Sequence, residues 1–258
     1  MTRRHFNIAL AGETIACTLD EASGANGLLI VSGGREIRSG AFGGQAAIAA
    51  QIAAAGHPVM RFDRRGVGDS SGEDRGFRGS REDIIAAIAA FRDACPQVKR
   101  IVAFGNCDAA SALMLMHGEG CDALVLANPW TFDDDSDSLP PPDAIRSRYL
   151  SRLRDPSEWM RLMRGKVNFT KLAKGLRAIF ITTLQVNSLA AELSNFLDEC
   201  NECWTILLAG NDRTAQAFAA SVPCSKAKVR TCEGASHAFV EPHATEWLKA
   251  QLLEALQD

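Results

Sequence analysis

Short apolar runs alternate along this chain with longer alanine-rich segments whose apolar positions recur at helical spacing. The short runs predict buried strands at 27–31, 57–62, 101–104, 123–126, 204–208 and 228–231. The longer segments predict helices at 45–55, 81–93 and 109–116, and a last helix from about 244. Strands and helices in alternation are typical of an α/β fold, with a mostly parallel central sheet and helices on both of its faces.

The N-terminal residues predict a further strand followed by a hairpin turn. Apolar and polar positions alternate from Phe6 to Ile8, and residues 11–14 have the composition of a turn. Asn7, Glu13 and Thr14 interrupt what would otherwise resemble the apolar part of a secretion signal. We therefore expect a cytoplasmic protein, and no apolar run reaches the roughly 18 residues of a membrane span.

The α/β rhythm is interrupted in the middle of the chain. Residues 133–142 are acidic and proline-rich, and a strongly basic stretch with helical spacing follows them. We interpret residues 131–198 as a helical cap inserted into one α/β core, which comprises residues 1–130 and 199–258. The basic stretch either favours an anionic substrate or is simply a solvated helix face.

Composition is ordinary for a soluble globular protein and argues against nucleic-acid binding, a disulfide framework and a zinc site. The chain has 258 residues, 47% of them hydrophobic, and a net charge of −3, which gives no reason to expect nucleic acid as a partner. The eight cysteines predict free thiols rather than a disulfide framework. Cys200 and Cys203 have CxxC spacing, but no second pair of ligands completes a zinc site, so we expect neither a metal nor a cofactor.

The most informative motif is Gly105–Ala109, which lies between an apolar strand and an alanine-rich helix. A nucleophile on such a tight strand-to-helix turn needs small residues two positions before and two after it, and Gly105 and Ala109 meet this need. The motif is usually Gly-x-Ser-x-Gly, so Cys107 replaces the serine and Ala109 the second glycine. The N-terminus of the following helix also stabilises negative charge that develops during a reaction.

The motif has two other interpretations. With Asp108 as the nucleophile, Asn106 would occupy a position where the crowded turn needs a small residue. With no catalytic role, Cys107 would be a buried thiol, which is a common state of free cysteine. We favour Cys107 as the nucleophile because suitable partners follow it in the chain.

The partners are Asp212 and His237. Asp212 follows the strand at 204–208, and His237 lies in a loop of small residues after the strand at 228–231. Both are therefore expected where strands of a parallel sheet end, which is where such sheets bind ligands. His237 would deprotonate Cys107, and Asp212 would orient the imidazole. Glu233 is a rival acid, and His5, His57, His117 and His243 are rival bases in less suitable positions.

An oxyanion hole requires two backbone N–H groups beside the nucleophile. One is expected from Asp108, the residue that follows Cys107. The second is expected from the glycine-containing loop after the strand at 27–31, with Gly34 as first choice and Arg35 as the fallback.

These motifs together resemble the α/β-hydrolase superfamily, and they cover nearly the whole predicted core. More narrowly, the loop at 32–40 (SGGREIRSG) and the segment at 61–72 (RFDRRGVGDSSG) are similar to the hydrolases associated with bacterial exosortase A systems, which are linked to exopolysaccharide production. The resemblance implies an α/β-hydrolase fold and a hydrolase activity, with no particular substrate. Asp63, Arg64 and Arg65 in the second segment either contact substrate or, as we expect, form a charged network after a strand.

The leading functional hypothesis is a cysteine hydrolase that cleaves an ester or thioester through an acyl-enzyme on Cys107. The substrate would be a small molecule or a carrier-bound acyl group, such as an acyl-phosphopantetheine or an acidic sugar if it is anionic. One alternative is an acyltransferase in which an alcohol or amine replaces water. Another is a binding protein that keeps the fold without catalysis. The sequence does not indicate an oligomeric state.

Overall fold

A computed structural model describes residues 2–132, 188–199, 204–224 and 227–257 of the chain. The strands are β1 (Arg3–Leu10), β2 (Glu13–Asp20), β3 (Asn26–Val31), β4 (Val59–Phe62), β5 (Arg100–Asn106), β6 (Ala123–Ala127), β7 (Trp204–Ala209) and β8 (Lys228–Cys232). The helices are α1 (Gly44–Ala54), α2 (Arg81–Ala94), α3 (Asp108–Leu115), α4 (Ser188–Glu199), α5 (Arg213–Ser221) and α6 (Pro242–Gln257).

The strands of the described residues form one sheet of eight in the order β1-β2-β4-β3-β5-β6-β7-β8. The pairs β1–β2 and β2–β4 are antiparallel, and every pair from β4–β3 to β7–β8 is parallel. The predicted α/β class and mostly parallel sheet are therefore confirmed. Because β4 to β8 run in one direction, the loops after β3, β5, β7 and β8 meet at one edge of the sheet.

Helices cover both faces of this sheet, and the central strands are buried on both sides. Along β5, Ile101 and Ala103 belong to one hydrophobic cluster, while Val102 and Phe104 belong to the other. The first cluster packs against α2, α3 and α4, and the second against α1 and α6. This two-residue period follows from strand geometry, because successive side chains point to opposite faces. It explains why β5 appears in the sequence as an unbroken apolar run.

Helix α4 lies within the last part of the predicted cap and packs on the core. Its buried residues Leu189, Leu193 and Phe196 join the cluster beside α3. Most of the predicted cap, including the basic stretch, lies outside the described residues, as do Cys200 and Cys203. The division into a core and an inserted cap therefore stays a prediction.

The charged segment after β4 is folded into a network of ion pairs. Arg65 is 2% exposed and donates from Nε to Asp83 at 2.6 Å, while Asp63 pairs with Arg38. Salt bridges to buried carboxylates account for these side chains without a substrate. Arg64 differs from its neighbours because it reaches the loop after β3, as described below. Among the described residues, no helix has the length and apolar character needed to cross a membrane.

Candidate active site

Cys107 occupies a strained turn between β5 and α3. Its φ of 62° and ψ of −129° lie in a region that residues with a side chain rarely adopt. The backbone N–H of Cys107 donates to the carbonyl of Ala127 at 3.0 Å, which ties the turn to the end of β6. A Cβ atom at Gly105 would lie 2.8 Å from backbone atoms of Ala109 and Ala110, so the turn requires glycine there. The strand-to-helix turn expected of a nucleophile elbow is thus present at the expected position.

Asp212 is held at the end of β7 by the first turn of α5. As the N-cap residue of that helix, its carboxylate accepts a hydrogen bond from the N–H of Ala215 at 3.1 Å. The same oxygen, Oδ2, accepts from Nδ1 of His237 at 2.9 Å. Burial alone would raise the pKa of Asp212, but the bonds from His237 and from the backbone hold it below its ordinary value. The carboxylate therefore stays charged and fixes the orientation of the imidazole.

His237 hydrogen-bonds to Asp212 and lies beside the Cys107 side chain. Because Nδ1 faces Asp212, the second ring nitrogen, Nε2, is the one available to the Cys107 side chain. Burial lowers the pKa of His237, but the bonds to Asp212 and Cys107 and the charges of both groups outweigh it and raise the pKa to about 10. At neutral pH the imidazole consequently holds a proton that it can pass to a leaving group.

Two asparagine side chains, neither of them expected from the sequence to have this role, hold the loop that carries His237. Asn106 and Asn128 each donate from Nδ2 to the carbonyl of His237 at 3.1 Å. Asn128 also accepts from the N–H of Ala209 at 2.8 Å and is completely buried with a φ of 43°. Asparagine adopts the left-handed backbone conformation more often than most residues do, which suits it to position 128. The sequence alone does not reveal that this conformation occurs there.

The loop predicted to supply an oxyanion donor lies directly against the elbow. A Cβ atom at Gly33 would come within 2.5 Å of the Asn106 carbonyl and 3.5 Å of Cys107 Cβ, so only glycine allows this approach. The N–H of Gly34 donates to Oδ1 of Asp108 at 2.5 Å. The carbonyl of Gly34 accepts from Arg64. The Arg35 side chain points outward and pairs with Asp74 at 3.4 Å.

Glu36 is a second carboxylate near the catalytic groups. It lies in the loop after β3, where burial raises its pKa, and the charges of both His237 and Asp108 act on it. Its Oε2 is 3.5 Å from the Nε2 atom of Gln45. Negative side chains thus lie on the β3 side of the cysteine–histidine pair.

The rival residues are placed elsewhere or bound differently. His5 bonds to Thr18, His57 to the Asn26 carbonyl, and His243 to the Glu233 carbonyl. His117 follows the C-terminal end of α3 and lies 3.8 Å from Glu199. Asp108, the rival nucleophile, directs its carboxylate to Gly34. The geometry therefore brings together Cys107, Asp212 and His237 rather than any rival set.

A family comparison agrees with this architecture. The model of the alpha/beta hydrolase family matches residues 28–250. The chain belongs to the alpha/beta hydrolase family. The mostly parallel eight-stranded sheet with helices on both faces is the fold of an α/β hydrolase, as the sequence predicted. No curated protein sequence matches this hydrolase.

Several solved structures share the fold of this α/β hydrolase at low sequence identity. An esterase from Pyrococcus furiosus is 16% identical with a TM-score of 0.62, covering 99% of this chain and 91% of its own. The alpha/beta hydrolase GrgF from Penicillium sp. sh18 is 16% identical with a TM-score of 0.64, covering 100% and 98%. A thioesterase domain from the curacin biosynthetic pathway is 14% identical with a TM-score of 0.57, covering 98% and 100%.

Proposed function

We propose that this α/β hydrolase cleaves an ester or thioester through an acyl-enzyme on Cys107, with His237 and Asp212 completing a catalytic triad. The observation that carries the proposal is the position of His237, which hydrogen-bonds to Asp212 through Nδ1 and lies close enough to the Cys107 side chain for that group to raise its pKa. A nucleophile, a base within reach of it and a third group that orients the base are the parts that covalent catalysis needs.

In the first step the sulfur of Cys107, whose thiol proton has passed to His237, attacks the carbonyl carbon of the substrate. A carbon–sulfur bond forms, and the π electron pair of the carbonyl moves to oxygen. When this tetrahedral species collapses, the bond to the leaving alkoxide or thiolate breaks, and His237 gives that group its proton. Its raised pKa means that the proton is present at neutral pH. The product of this step is a thioester on Cys107.

In the second step water replaces the leaving group. The now neutral His237 takes a proton from water while the oxygen attacks the thioester carbon. The carbon–sulfur bond then breaks, a carboxylic acid leaves, and the sulfur recovers its pairing with the protonated imidazole. Asp212 remains charged throughout, because its bonds to His237 and the start of α5 keep its pKa low.

The class of bond is supported by the names of the structural neighbours, which include an esterase and a thioesterase domain. The narrower resemblance to exosortase-associated hydrolases, the cytoplasmic location and the anionic or carrier-bound substrate stay predictions. The acidic pair Glu36 and Asp108 beside the triad gives an anionic group no favourable place close to the reacting carbonyl.

The test is intact-mass analysis after exposure to p-nitrophenyl acetate and p-nitrophenyl octanoate. We expect the native protein to gain one acyl group that maps to Cys107. Cys107→Ala should gain none, and His237→Ala should acylate at least about a hundredfold more slowly. Acyl label on another residue, or label that persists in Cys107→Ala, would refute the proposal.

The same experiment separates the remaining alternatives. Adding butanol or an amine after acylation distinguishes transfer to that acceptor from hydrolysis, by chromatography of the released acyl product. A chain without catalytic function would show no acylation and would alkylate at Cys107 only as fast as an ordinary thiol. Either result replaces the hydrolase assignment with the corresponding alternative.

A further inference from the structure

The side chain of Asp108 occupies one of the donors on which the proposed reaction depends. Its Oδ1 accepts the N–H of Gly34 at 2.5 Å, and a hydrogen bond from a backbone N–H to a carboxylate is stronger than one between neutral groups. Asp108 is also the residue after the nucleophile, so its own N–H is the other expected donor. One residue therefore supplies half of the expected oxyanion hole with its backbone and fills the other half with its side chain.

These two uses of the site exclude each other during catalysis. The carbonyl oxygen of a substrate gains negative charge as the sulfur attacks, and it needs N–H donors at 2.7–3.1 Å. While the Asp108 carboxylate accepts the Gly34 N–H, this donor cannot bind the carbonyl oxygen of the substrate. The carboxylate also repels the negative charge that develops on that oxygen. For acylation to be fast, the carboxylate must leave Gly34 as the substrate arrives.

Arg64 is placed to receive the displaced carboxylate. Its guanidinium is 5% exposed, with Nη2 bound to the Gly34 carbonyl and 4.0 Å from Oδ2 of Asp108. Nη1 of Arg64 is buried and finds no hydrogen-bond partner among the residues that the structure describes. A buried unpaired donor is unfavourable, and a small rotation of Asp108 toward Arg64 would satisfy it.

We propose that Asp108 is a displaceable occupant of the oxyanion hole, a specificity-determining role that rests on the acyl-enzyme function proposed above. In the free enzyme its carboxylate holds Gly34 and keeps the loop after β3 against the elbow. A substrate whose carbonyl oxygen binds Gly34 drives the carboxylate to Arg64. If the carbonyl oxygen of a substrate does not bind the Gly34 N–H, the Asp108 carboxylate stays in the oxyanion hole and acylation is slow.

Two reactions of the same sulfur distinguish this role from a general effect on the thiol. Acylation by p-nitrophenyl acetate passes through an oxyanion, whereas alkylation by iodoacetamide is a direct displacement that forms none. The measured quantity is the ratio of the two second-order rate constants at Cys107. Asp108→Ala should raise this ratio about tenfold, a fraction of the hundred- to thousandfold that one oxyanion-hole donor contributes. Asp108→Asn, which keeps an acceptor but not the charge, should raise it less.

The opposite order would overturn the proposal. If the Asp108 carboxylate instead holds the loop after β3 in place throughout the reaction, its loss misplaces the Gly34 donor. The ratio of acylation to alkylation would then fall from wild type to Asp108→Asn and further to Asp108→Ala. An unchanged ratio also refutes displacement. Glu119→Gln is the matched control, because it removes an exposed carboxylate that pairs with Arg81 away from the site. Far-UV circular dichroism and melting temperature establish that each variant is folded.

A double-mutant cycle tests the receiving partner. We expect Arg64→Gln to lower the acylation rate constant about tenfold in the wild-type background and at most about twofold when Asp108 is already alanine. Equal losses in both backgrounds would show that Arg64 acts only through the Gly34 carbonyl and would refute its part in the displacement. Absence of acylation at Cys107 in every variant would instead count against the proposed function.

Discussion

Cys107 combines the proposed reaction with a backbone conformation that disfavours any side chain. Its positive φ places the sulfur at the tip of the turn, between the loop after β3 and the His237 loop. The surrounding structure maintains this conformation through the bond from Cys107 to Ala127 and the close contact of Gly105 with α3. The strained backbone of Cys107 therefore lowers the stability of the folded protein at the residue on which the proposed chemistry depends.

Replacing Cys107 by glycine should make the protein more stable than replacing it by alanine. Both variants lack the sulfur, but only glycine adopts φ 62° and ψ −129° without a penalty. We expect Cys107→Gly to exceed Cys107→Ala by about 1 kcal/mol in the free energy of unfolding, measured by urea denaturation. Equal stability of the two variants would indicate that the turn is relaxed. Gly44→Ala, at a helical position with open space around it, should on the contrary be neutral or stabilising.

At the scale of elements, Asn128 joins the ends of three neighbouring strands to the loop after a fourth. It follows β6, bonds to Asn106 at the end of β5, to Ala209 at the end of β7, and to the His237 carbonyl beyond β8. The proposed nucleophile, acid and base come from β5, β7 and β8. This one buried amide thus fixes the relative positions of the segments on which all three depend.

Removing the Asn128 amide should weaken both stability and acylation. Asn128→Ala leaves the Ala209 N–H buried without its acceptor, so we expect a loss of about 2–3 kcal/mol in urea unfolding. The acylation rate constant for p-nitrophenyl acetate should fall about tenfold or more, since His237 loses one of its anchors. Asn106→Ala should be milder, because Asn128 keeps its own bond to the His237 carbonyl. Asn128→Gly removes the amide but tolerates the left-handed backbone, so its comparison with Asn128→Ala separates the two causes of the loss. Equal losses of stability and acylation in Asn128→Ala, Asn128→Gly and Asn106→Ala would contradict this account.

The sequence predicted the central strands well because they are buried on both faces and appear as continuous apolar runs. It missed β2 (Glu13–Asp20), whose Thr14, Thr18 and Asp20 break such a run, and it placed a hairpin turn at 11–14, of which residues 13 and 14 begin this strand. It also treated the residues after Asp212 as a polar turn, whereas Arg213–Ser221 is helix α5 capped by that aspartate. Cys107, Asp212 and His237 were chosen from the sequence because each follows a strand, and their catalytic roles stay predictions. The contacts of Asn128, Glu36 and Asp108 were not, because they depend on the tertiary approach of distant loops.

At the scale of the whole molecule, the pair of His237 and Asp212 links stability to pH. The pKa of His237 is raised to about 10, so its contribution is complete below its unfolded pKa of 6.5 and is lost as the pH rises through about 10. The pKa of Asp212 is lowered, so its contribution is present above its ordinary pKa of 3.8 and is lost as the pH falls through the folded value.

His237→Gln should therefore lower the melting temperature most between about pH 5 and 6.5. Because the His237 side chain is 38% exposed, solvent screening limits the loss to about 1 kcal/mol, or about 2–3 °C for a domain of this size. The difference from wild type should narrow toward pH 10, as followed by calorimetry across the range. A difference that stays constant with pH would show that the ion pair does not stabilise the fold. His117→Gln, at an exposed site 3.8 Å from Glu199, is the control.

The order of the site along the chain has a consequence for biosynthesis. A ribosome completes the elbow long before it reaches His237, which lies beyond β8. Until then the nascent polypeptide carries Cys107 without His237, and the thiol lies at the end of a strand whose site is not yet assembled. Acylation of Cys107 would consequently begin only after the loop that carries His237 has been synthesised and the core has folded, since domains fold as units during and after synthesis. Enzymatic turnover in a translation mixture would thus report the arrival of this histidine loop rather than the first appearance of the cysteine.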